Sequence, residues 1–323
     1  MGYHIFLVGQ ANFKTCLRYG VYGGTSHSLE RINSEIIASF ECIRPGDFLF
    51  FYVKNAGIHG LWRVASRPFL DTHPVWADKA QVYPYRVCFE PAIRGFPRPI
   101  ALSDILDLRD KGKIWTFDLG TLSKKNHYSL TEDEGKELIR LLLRNNPLFQ
   151  PVSPIPEPYP EGGDPLPLSL QTDARGRLRF EGYFNAWFMR SFAEGRLKDV
   201  VGEYRDFLNF VPTSFNTVMD ILLTHVTAVD SVDILHNLTC MELKTGTATE
   251  EDLSQVIKYE NWLIRKLADG DAEMVQSILV AYAFDEAVLD YVRRRKAVEE
   301  KRVRLLTYRV TPAQDDIILH EVE

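Results

Sequence analysis

Apolar residues in the first 145 positions form short runs that are separated by turn residues. Such runs predict strands, here at His4–Val8, Phe48–Val53, Ile58–Ala65 and Tyr83–Pro91. The segment 54–57 predicts a hairpin turn between two of them, and 12–19, followed by Gly20, predicts a short helix. Several strands with few helices favour a small curved sheet or barrel with flanking helices.

A proline-rich stretch separates this region from the rest of the chain. Thr131 and Glu134 form the pattern of a capping box that opens a helix, and eight prolines then lie between Asn146 and Leu170. Proline lacks the N–H that helices and sheet ladders need. We therefore expect a first domain at 1–145, an extended linker at 146–170 and a second domain at 171–323.

The second domain shows alternating helix and strand patterns. We expect helices near 180–192, 200–208, 215–225, 249–267 and 285–300. We expect strands at 232–235, 240–244, 276–282 and 302–310, with a turn at 236–239 joining the first two. This order predicts an α/β domain with a mixed central sheet.

Composition narrows the class of protein. The 323 residues are 45% apolar and 25% charged, which excludes a disordered, collagen-like or coiled-coil chain. No apolar run reaches the roughly 20 residues of a membrane helix, and the first residues do not resemble a signal peptide. The four cysteines form no CxxC pair and the histidines show no HxxxH spacing, so we expect no zinc and a reduced, cytoplasmic protein without a membrane partner.

Charge argues against a non-specific polyanion binder, because the net charge is −6. The first 146 residues are nevertheless net basic and the remainder net acidic. A local basic groove matters more for nucleic-acid binding than the total charge.

Two aromatic residues lie on predicted loops of the first domain. Tyr22 follows Gly20, and Trp76 follows Pro74. Aromatic side chains at the mouth of a small barrel can clamp a flat ring, and one base–aromatic stack is worth about 1–3 kcal/mol. Core packing is the alternative for both residues.

The first domain resembles an EVE domain, which belongs to the PUA-like group related to YTH readers. The matching motifs, over about residues 3–145, are Asn12, Gly20-Val-Tyr-Gly23, Arg44-Pro-Gly-Asp47, Phe51-Tyr-Val53, Gly60-Leu-Trp-Arg-Val-Ala-Ser66, Pro74-Val-Trp76 and Tyr83-Pro-Tyr-Arg86. The resemblance implies that a flipped, modified base sits in a cage of Tyr22 and Trp76 and is read by Asn12. Tyr22 departs from the usual Trp of this group.

Basic residues near such a pocket are candidates to hold phosphates. The alternative for each is a solvated surface charge. The candidates are Lys14, Arg18, Arg63, Lys79 and Arg86.

The second domain contains two carboxylates and a lysine in apolar strand runs. Glu242 and Lys244 are two apart and project from the same face of a strand. The expected turn at 236–239 folds Asp233 back beside them, so that Asp233 and Glu242 share a divalent cation. Asp230 is a nearby rival for the role of Asp233. A salt-bridged edge strand is the alternative to a metal site.

This stretch, roughly 175–310, resembles the PD-(D/E)XK nuclease group and its NucS-like branch. The matching residues are Val232-Asp-Ile-Leu235, Glu242-Leu-Lys-Thr-Gly-Thr-Ala248, Gln255 and Tyr259. The resemblance implies a restriction-endonuclease-like fold in which Asp233, Glu242 and Glu181 bind Mg²⁺ or Mn²⁺. It also implies that Lys244 is the catalytic lysine and that Gln255 supports the site.

Together these features favour a modification-dependent DNA endonuclease of the type IV restriction kind. Its partner would be double-stranded DNA with a modified base, and cutting both strands favours a homodimer. Two alternatives remain from the sequence. One is a structure- or mismatch-specific repair nuclease, and the other is a non-catalytic reader of modified RNA.

Overall fold

The chain divides into two compact units, Met1–Pro167 and Leu168–Glu323. The computed structural model describes residues 2–76, 83–117, 126–160, 162–214, 217–299, 301 and 303–322. The division falls inside the segment expected to be a linker, and most of that segment belongs to the first unit.

The first unit contains short strands and four helices in its described residues. In chain order they are β1 (Tyr3–Val8), α1 (Gln10–Tyr19), β2 (Val21–Gly24), α2 (Glu30–Glu41), β3 (Phe48–Val53), β4 (Gly57–Val64), β5 (Phe69–Leu70), β6 (Tyr85–Pro91), α3 (Leu102–Asp110), β7 (His127–Leu130), α4 (Glu132–Asn145) and β8 (Asp164–Pro165). The predicted end of α1 is confirmed, since Gly20 adopts the left-handed conformation with φ of 64°. The capping box of Thr131 and Glu134 is also present.

The strands of the first unit form a mixed sheet in the order β7-β1-β3-β4-β6-β5-β8, with β2 paired to β6. β1 and β3 are parallel, and the other neighbours are antiparallel. Within the described ranges, β7 and β8 each pair on one side, so the sheet is open. Of the two forms expected from the sequence, a curved sheet or a barrel, a closed barrel is therefore not seen in these residues. Leu138 and Leu142 of α4 pack with Ile5 in the main core of this unit.

The proline-rich segment is hydrogen-bonded to the first unit. The Glu157 N–H donates to the Arg18 carbonyl at 3.0 Å, and the Tyr159 N–H donates to the Tyr19 carbonyl at 2.7 Å. β8, from the same segment, pairs with β5. The segment contains no helix in its described residues, as expected. Backbone hydrogen bonds of its non-proline residues attach it to the rest of the unit.

A buried arginine reinforces this attachment. Arg86 is fully buried, and its guanidinium donates to the Tyr159 hydroxyl at 2.6 Å and to the His73 carbonyl at 2.6 Å. Asp71 lies 3.6 Å from the same guanidinium and accepts a hydrogen bond from Tyr159. Arg86 was expected to contact phosphate, but its buried donors are directed at acceptors within the protein. Its role in this structure is therefore to stabilise the fold.

The second unit is an α/β arrangement of strands and helices. In chain order its described elements are α5 (Glu181–Ala193), α6 (Lys198–Val201), β9 (Asp206–Pro212), β10 (Val218–Val229), β11 (Val232–Ala248), α7 (Glu250–Lys266), a short 3-10 helix (Ala272–Met274), β12 (Val275–Phe284), α8 (Glu286–Glu299), β13 (Val303–Val310) and β14 (Ile317–Glu321).

The sheet of the second unit is mixed, as predicted, in the order β14-β13-β12-β11-β10-β9. β11, β12 and β13 run parallel, and α7 and α8 provide the connections between them. The remaining pairs are antiparallel. α7 and α8 cover a core that includes Val256, Leu279 and Val288.

Two of the predicted helices are wrong. Residues 215–225 were expected to be helical, but residues 218–229 form β10, and β9 begins within the helix expected at 200–208. Residues 219–225 of β10 are all buried. A strand buried on both faces is a continuous apolar run, which periodicity cannot distinguish from a buried helix.

The two short strands expected at 232–235 and 240–244 are one strand. β11 continues through residues 236–239 without a turn and pairs with β10 along most of its length. The turn lies instead at Asp230 and Ser231, which both have positive φ, of 48° and 67°. Two such residues are typical of a tight hairpin.

None of the described helices is both long and apolar enough to cross a membrane.

Replacing Arg86 by Met should lower the free energy of unfolding by about 1–3 kcal/mol, because the Tyr159 hydroxyl and the His73 carbonyl lose a buried donor and the partly exposed Asp71 loses a nearby cation. The matched control is Arg18→Met, which removes an exposed ion pair with Glu157 and should leave unfolding almost unchanged. Urea unfolding of the full chain measures both. Equally small losses would contradict the structural position of Arg86.

Candidate metal centre and nucleic-acid interface

Two carboxyl groups meet at the centre of the second sheet. Asp220 is the third residue of β10, and Glu242 lies in the middle of β11. The Ile221–Met241 pair sets the register of these antiparallel strands, so Asp220 lies beside Glu242. Glu242 is 2% exposed and Asp220 is 9% exposed.

Hydrogen bonds hold both carboxyl groups in place. The Leu243 N–H donates to Asp220 Oδ2 at 2.8 Å, and Lys244 Nζ donates to Glu242 Oε1 at 2.7 Å. Glu242 Oε2 is buried and accepts no hydrogen bond from any donor in the described ranges. A proton shared with Asp220, an ordered water or a bound cation would compensate the burial of this oxygen.

The protonation behaviour reflects this crowding. Burial raises the pKa of Glu242 to about 7, although the Lys244 ammonium opposes the shift. Burial and the charge of Glu242 raise the pKa of Asp220 well above its ordinary value. The neighbouring carboxylates Glu242 and Glu181 raise the pKa of Lys244 although its burial acts against this. The lysine is therefore a cation, and the two carboxyl groups compete for one proton near neutral pH.

Helix α5 brings a third carboxylate toward the pair. Asn185 donates from its side-chain amide to the Asp220 carbonyl at 3.1 Å, which fixes α5 against β10. Glu181 is four residues earlier, on the same face of the helix, and its charge acts on both Glu242 and Lys244. The structure thus brings the sequence-predicted Glu181, Glu242 and Lys244 together.

Helix α7 supplies the polar groups on the other side. Asp252, in the capping box of α7, lies 3.7 Å from Lys244 Nζ. Gln255 donates from Nε2 to the Tyr259 hydroxyl at 2.5 Å, and that hydroxyl donates to the Val218 carbonyl at 2.8 Å. Burial raises the pKa of Tyr259 to about 12, and the charge of Glu242 contributes to the same shift. The predicted shared face of Gln255 and Tyr259 is confirmed.

The donor set suits a hard divalent cation. Asp220 and Glu242 offer adjacent carboxylate oxygens, which Mg²⁺ and Mn²⁺ prefer. Glu181 adds negative charge from α5, but the three carboxylates do not form a group whose oxygens all lie within 4.8 Å of one another. The buried Glu242 Oε2 is the specific sign of a ligand position, because it has no donor in the described part of the chain. Lys244 beside the same carboxylate adds a positive charge that is held in place.

Asp233 does not join this group. It lies nine residues before Glu242 on the continuous strand β11, which corresponds to about 30 Å. Its carboxylate pairs with Arg205 at 2.9 Å and is half exposed. Asp230 occupies the hairpin turn at the same far end. The expectation that Asp233 faces Glu242 is wrong, because no turn at 236–239 folds it back, and Asp220 has that position.

In the first unit, Tyr22 lies in the core. Its ring stacks on Phe6, with centroids 4.3 Å apart, and on Phe40, and it is 2% exposed. Its hydroxyl donates to the Asn126 carbonyl at 2.7 Å. Because the Tyr22 ring is buried, a base cannot reach it, and the expectation that Tyr22 stacks on a base is wrong.

Trp76 and Asn12 share a neighbour that sequence reasoning did not single out. The Tyr83 ring lies 5.1 Å from the Trp76 ring, and the Tyr83 hydroxyl accepts a hydrogen bond from Asn12 Nδ2 at 3.0 Å. Trp76 is 3% exposed. Gly23 packs against its ring so closely that a Cβ atom at this position would lie 2.6 Å from the ring. The Arg86 guanidinium also lies over this ring, 5.4 Å from its centroid. Trp76 therefore presents no open ring face to a base, as found for Tyr22, and the expectation that it stacks on a base is wrong. Asn12 and Tyr83 themselves are half-buried.

The remaining cations are spread over the first unit. Lys14 and Arg18 line a groove of about 700 Å³ between α1, β4 and the proline-rich segment. Arg18 pairs with Glu157, and Arg63 covers the Phe48 ring at 4.7 Å. Lys79 lies outside the described residues. Of these candidates, Lys14 and Arg18 occupy the most accessible position for a phosphate.

Comparison of the sequence with protein-family models and with curated proteins finds no match. Solved structures with similarity include a protein of Pseudomonas putida, with 16% identity over 44% of this chain and 99% of that one and a TM-score of 0.31. They also include the Mmi1 YTH domain in complex with RNA, with 15% identity, 46% and 83% coverage and a TM-score of 0.30.

A third similar structure is a repair endonuclease from Pyrococcus abyssi. It shows 20% identity over 30% of this chain and 39% of that one, with a TM-score of 0.23. Scores and identities this low do not assign the chain to a family.

Divalent-cation binding should depend on pH around the pKa of Glu242. Glu242 gains a proton as the pH falls through about 7, and the cation must displace this proton. The affinity for Mn²⁺ should therefore be about tenfold or more weaker at pH 6 than at pH 8. Calorimetric titration of the full chain measures this.

Glu242→Gln should abolish this binding, whereas Asp233→Asn should retain both the affinity and its pH dependence. An affinity that is equal at pH 6 and pH 8, or one that Asp233→Asn removes, would contradict the assignment of the cation to the buried pair.

Proposed function

We propose that the chain is a divalent-metal-dependent endonuclease that cuts double-stranded DNA near a modified base. One observation carries the nuclease part: the buried pair of Asp220 and Glu242, with an unpartnered oxygen among the described groups, beside the ammonium of Lys244. Leaving such a group without a ligand is costly, and a divalent cation removes the cost.

In this proposal Asp220 and Glu242 hold Mg²⁺ or Mn²⁺, and Glu181 completes the ligands from α5. The cation would supply charge that activates water and neutralises the phosphate. Lys244 is positioned by Glu242 and Asp252, so that its ammonium can orient an attacking water and stabilise the negative charge that develops on the phosphate.

Gln255 and Tyr259 act on this site by positioning. The hydroxyl of Tyr259 connects α7 to the Val218 carbonyl, two residues before Asp220. Gln255 holds that hydroxyl. Loss of either contact would loosen β10 next to the carboxyl pair.

For the first unit we propose that Asn12 and Tyr83, which are half-buried, read the modified base, with the buried Trp76 packed against Tyr83. An amide that can pair with a base edge and two aromatic rings lie in contact there. Flipping a base costs a few kcal/mol, which stacking and edge contacts must compensate. Lys14 and Arg18 would hold the adjacent backbone, and a homodimer would supply two active sites for two strands.

Cleavage should require the buried pair and the lysine. Glu242→Gln and Lys244→Met should each reduce the cutting rate by at least about a hundredfold, because each removes charge that acts on the reacting phosphate. Asp233→Asn should cut at the rate of the unaltered chain.

The assay uses matched duplexes that carry 5-methylcytosine, 5-hydroxymethylcytosine, N6-methyladenine or no modification, with Mg²⁺ and with EDTA. Cutting that persists in EDTA or in Glu242→Gln would refute the nuclease proposal. Equal cutting of modified and plain DNA would favour a structure-specific repair nuclease.

Discrimination of the base should depend on Asn12. Asn12→Ala should reduce the preference for modified over plain duplex while leaving the affinity for plain DNA intact, because phosphate contacts do not depend on the base. The expected loss is about 1–3 kcal/mol. The control is Gln10→Ala, an exposed amide on the same helix, which should retain the preference. A parallel loss of affinity for both duplexes would contradict the reader role.

A further inference from the structure

The first unit contains a cluster of metal-binding side chains remote in sequence. His4 lies on β1, His127 on β7, and Cys42 directly follows α2. One ligand atom from each lies within 4.8 Å of the other two, and all three residues are buried. Neither the nuclease proposal nor the reader proposal uses them.

The sheet creates this cluster. β1 and β7 are antiparallel, with His4 opposite Ser129 and Phe6 opposite His127. His4 and His127 are therefore diagonal neighbours on one face of the sheet. Cys42 reaches the same point from the end of α2, and its Sγ lies 3.1 Å from Ser129 Oγ.

The distances fit a tetrahedral ion. His4 Nδ1 and His127 Nε2 are 3.3 Å apart, and His127 Nε2 is 3.8 Å from Cys42 Sγ. Ser129 Oγ lies 3.4 Å from each of the two histidine nitrogens. Tetrahedral zinc with the usual bond lengths places two nitrogens about 3.3 Å apart and a nitrogen and a sulfur about 3.6 Å apart.

A carboxylate outside the cluster orients one of the ligands. His4 Nε2 lies 3.1 Å from Asp47 Oδ2. Asp47 also accepts hydrogen bonds from the N–H groups of Gly2 and Arg44. A carboxylate so placed accepts from Nε2–H and leaves the lone pair of Nδ1 directed at the cluster. Carboxylate–histidine–metal arrangements of this kind are typical of zinc sites.

Charged groups around the cluster offset one another. A zinc ion, one thiolate and two neutral imidazoles carry a net charge of +1, and the Asp47 carboxylate lies beside them. The partly exposed Arg44 guanidinium, 3.8 Å from Asp47, is the other charge that the structure places near this carboxylate. An ion in this position therefore has an opposite charge close by, which reduces the cost of burying it. We propose that His4, His127 and Cys42, with Ser129 at the fourth corner, bind Zn²⁺ and tie β1, β7 and the end of α2 together.

Cobalt substitution tests this proposal in the full chain. The chain is treated with a chelator under reducing, oxygen-free conditions and then titrated with Co²⁺. We expect one equivalent to produce the near-ultraviolet thiolate-to-cobalt charge-transfer band, and added Zn²⁺ to remove it. The carboxylate site of the second unit contains no sulfur and cannot give this band, so the result is independent of the nuclease proposal.

Cys42→Ser and His127→Gln should lose the band, whereas Cys88→Ser, which alters another buried cysteine of the same unit, should retain it. Zn²⁺ should raise the melting temperature of the unaltered chain and of Cys88→Ser. Absence of the band in the unaltered chain at saturating Co²⁺, or its persistence in Cys42→Ser, would overturn the proposal. The titration of the unaltered chain decides even if a variant fails to fold.

Discussion

The burial of two carboxyl groups side by side is the constraint on which the second unit depends. Asp220 and Glu242 lie on adjacent central strands where neither can be fully hydrated. Two such groups cannot both ionise cheaply without a cation. Two contacts stabilise the pair: Lys244 donates a hydrogen bond to Glu242, and a backbone N–H donates one to Asp220. The metal-dependent reaction that we propose would use the same feature that makes this part of the sheet costly to fold.

The helices around the pair show how the fold positions it. Asn185 anchors α5 to the backbone of β10, and Tyr259 anchors α7 two residues away from Asp220. The buried pair thus lies between one helix that precedes the sheet and one that connects two of its parallel strands. The first unit has its own buried polar network, in which Arg86 holds Asp71 and Tyr159. Buried charges in both units are organised by opposite charges at hydrogen-bond distance.

Local signals in the sequence predicted much of the fold. The capping box at Thr131, the terminal glycine of α1 and the long helix α7 were predictable because they depend on neighbouring residues. The contact between Glu242 and Lys244 was also predictable, because residues two apart on a strand share a face. Asp220 was not predictable, because residues 219–225 of the strand that carries it are all buried and show no strand alternation, so this stretch was predicted to be a helix. The burial of Tyr22 and the meeting of His4 with His127 depend on strand pairing between distant residues, which spacing along the chain does not reveal.

The most direct test of the central claim is anomalous diffraction from crystals of the full chain grown with Mn²⁺ at pH 8. We expect an anomalous peak between the carboxyl groups of Asp220 and Glu242. We also expect Lys244 Nζ to keep its contacts with Glu242 on the same strand and with Asp252 on α7. A peak at Asp233 on the hairpin, or no peak at the buried pair when manganese saturates the solution, would contradict the account.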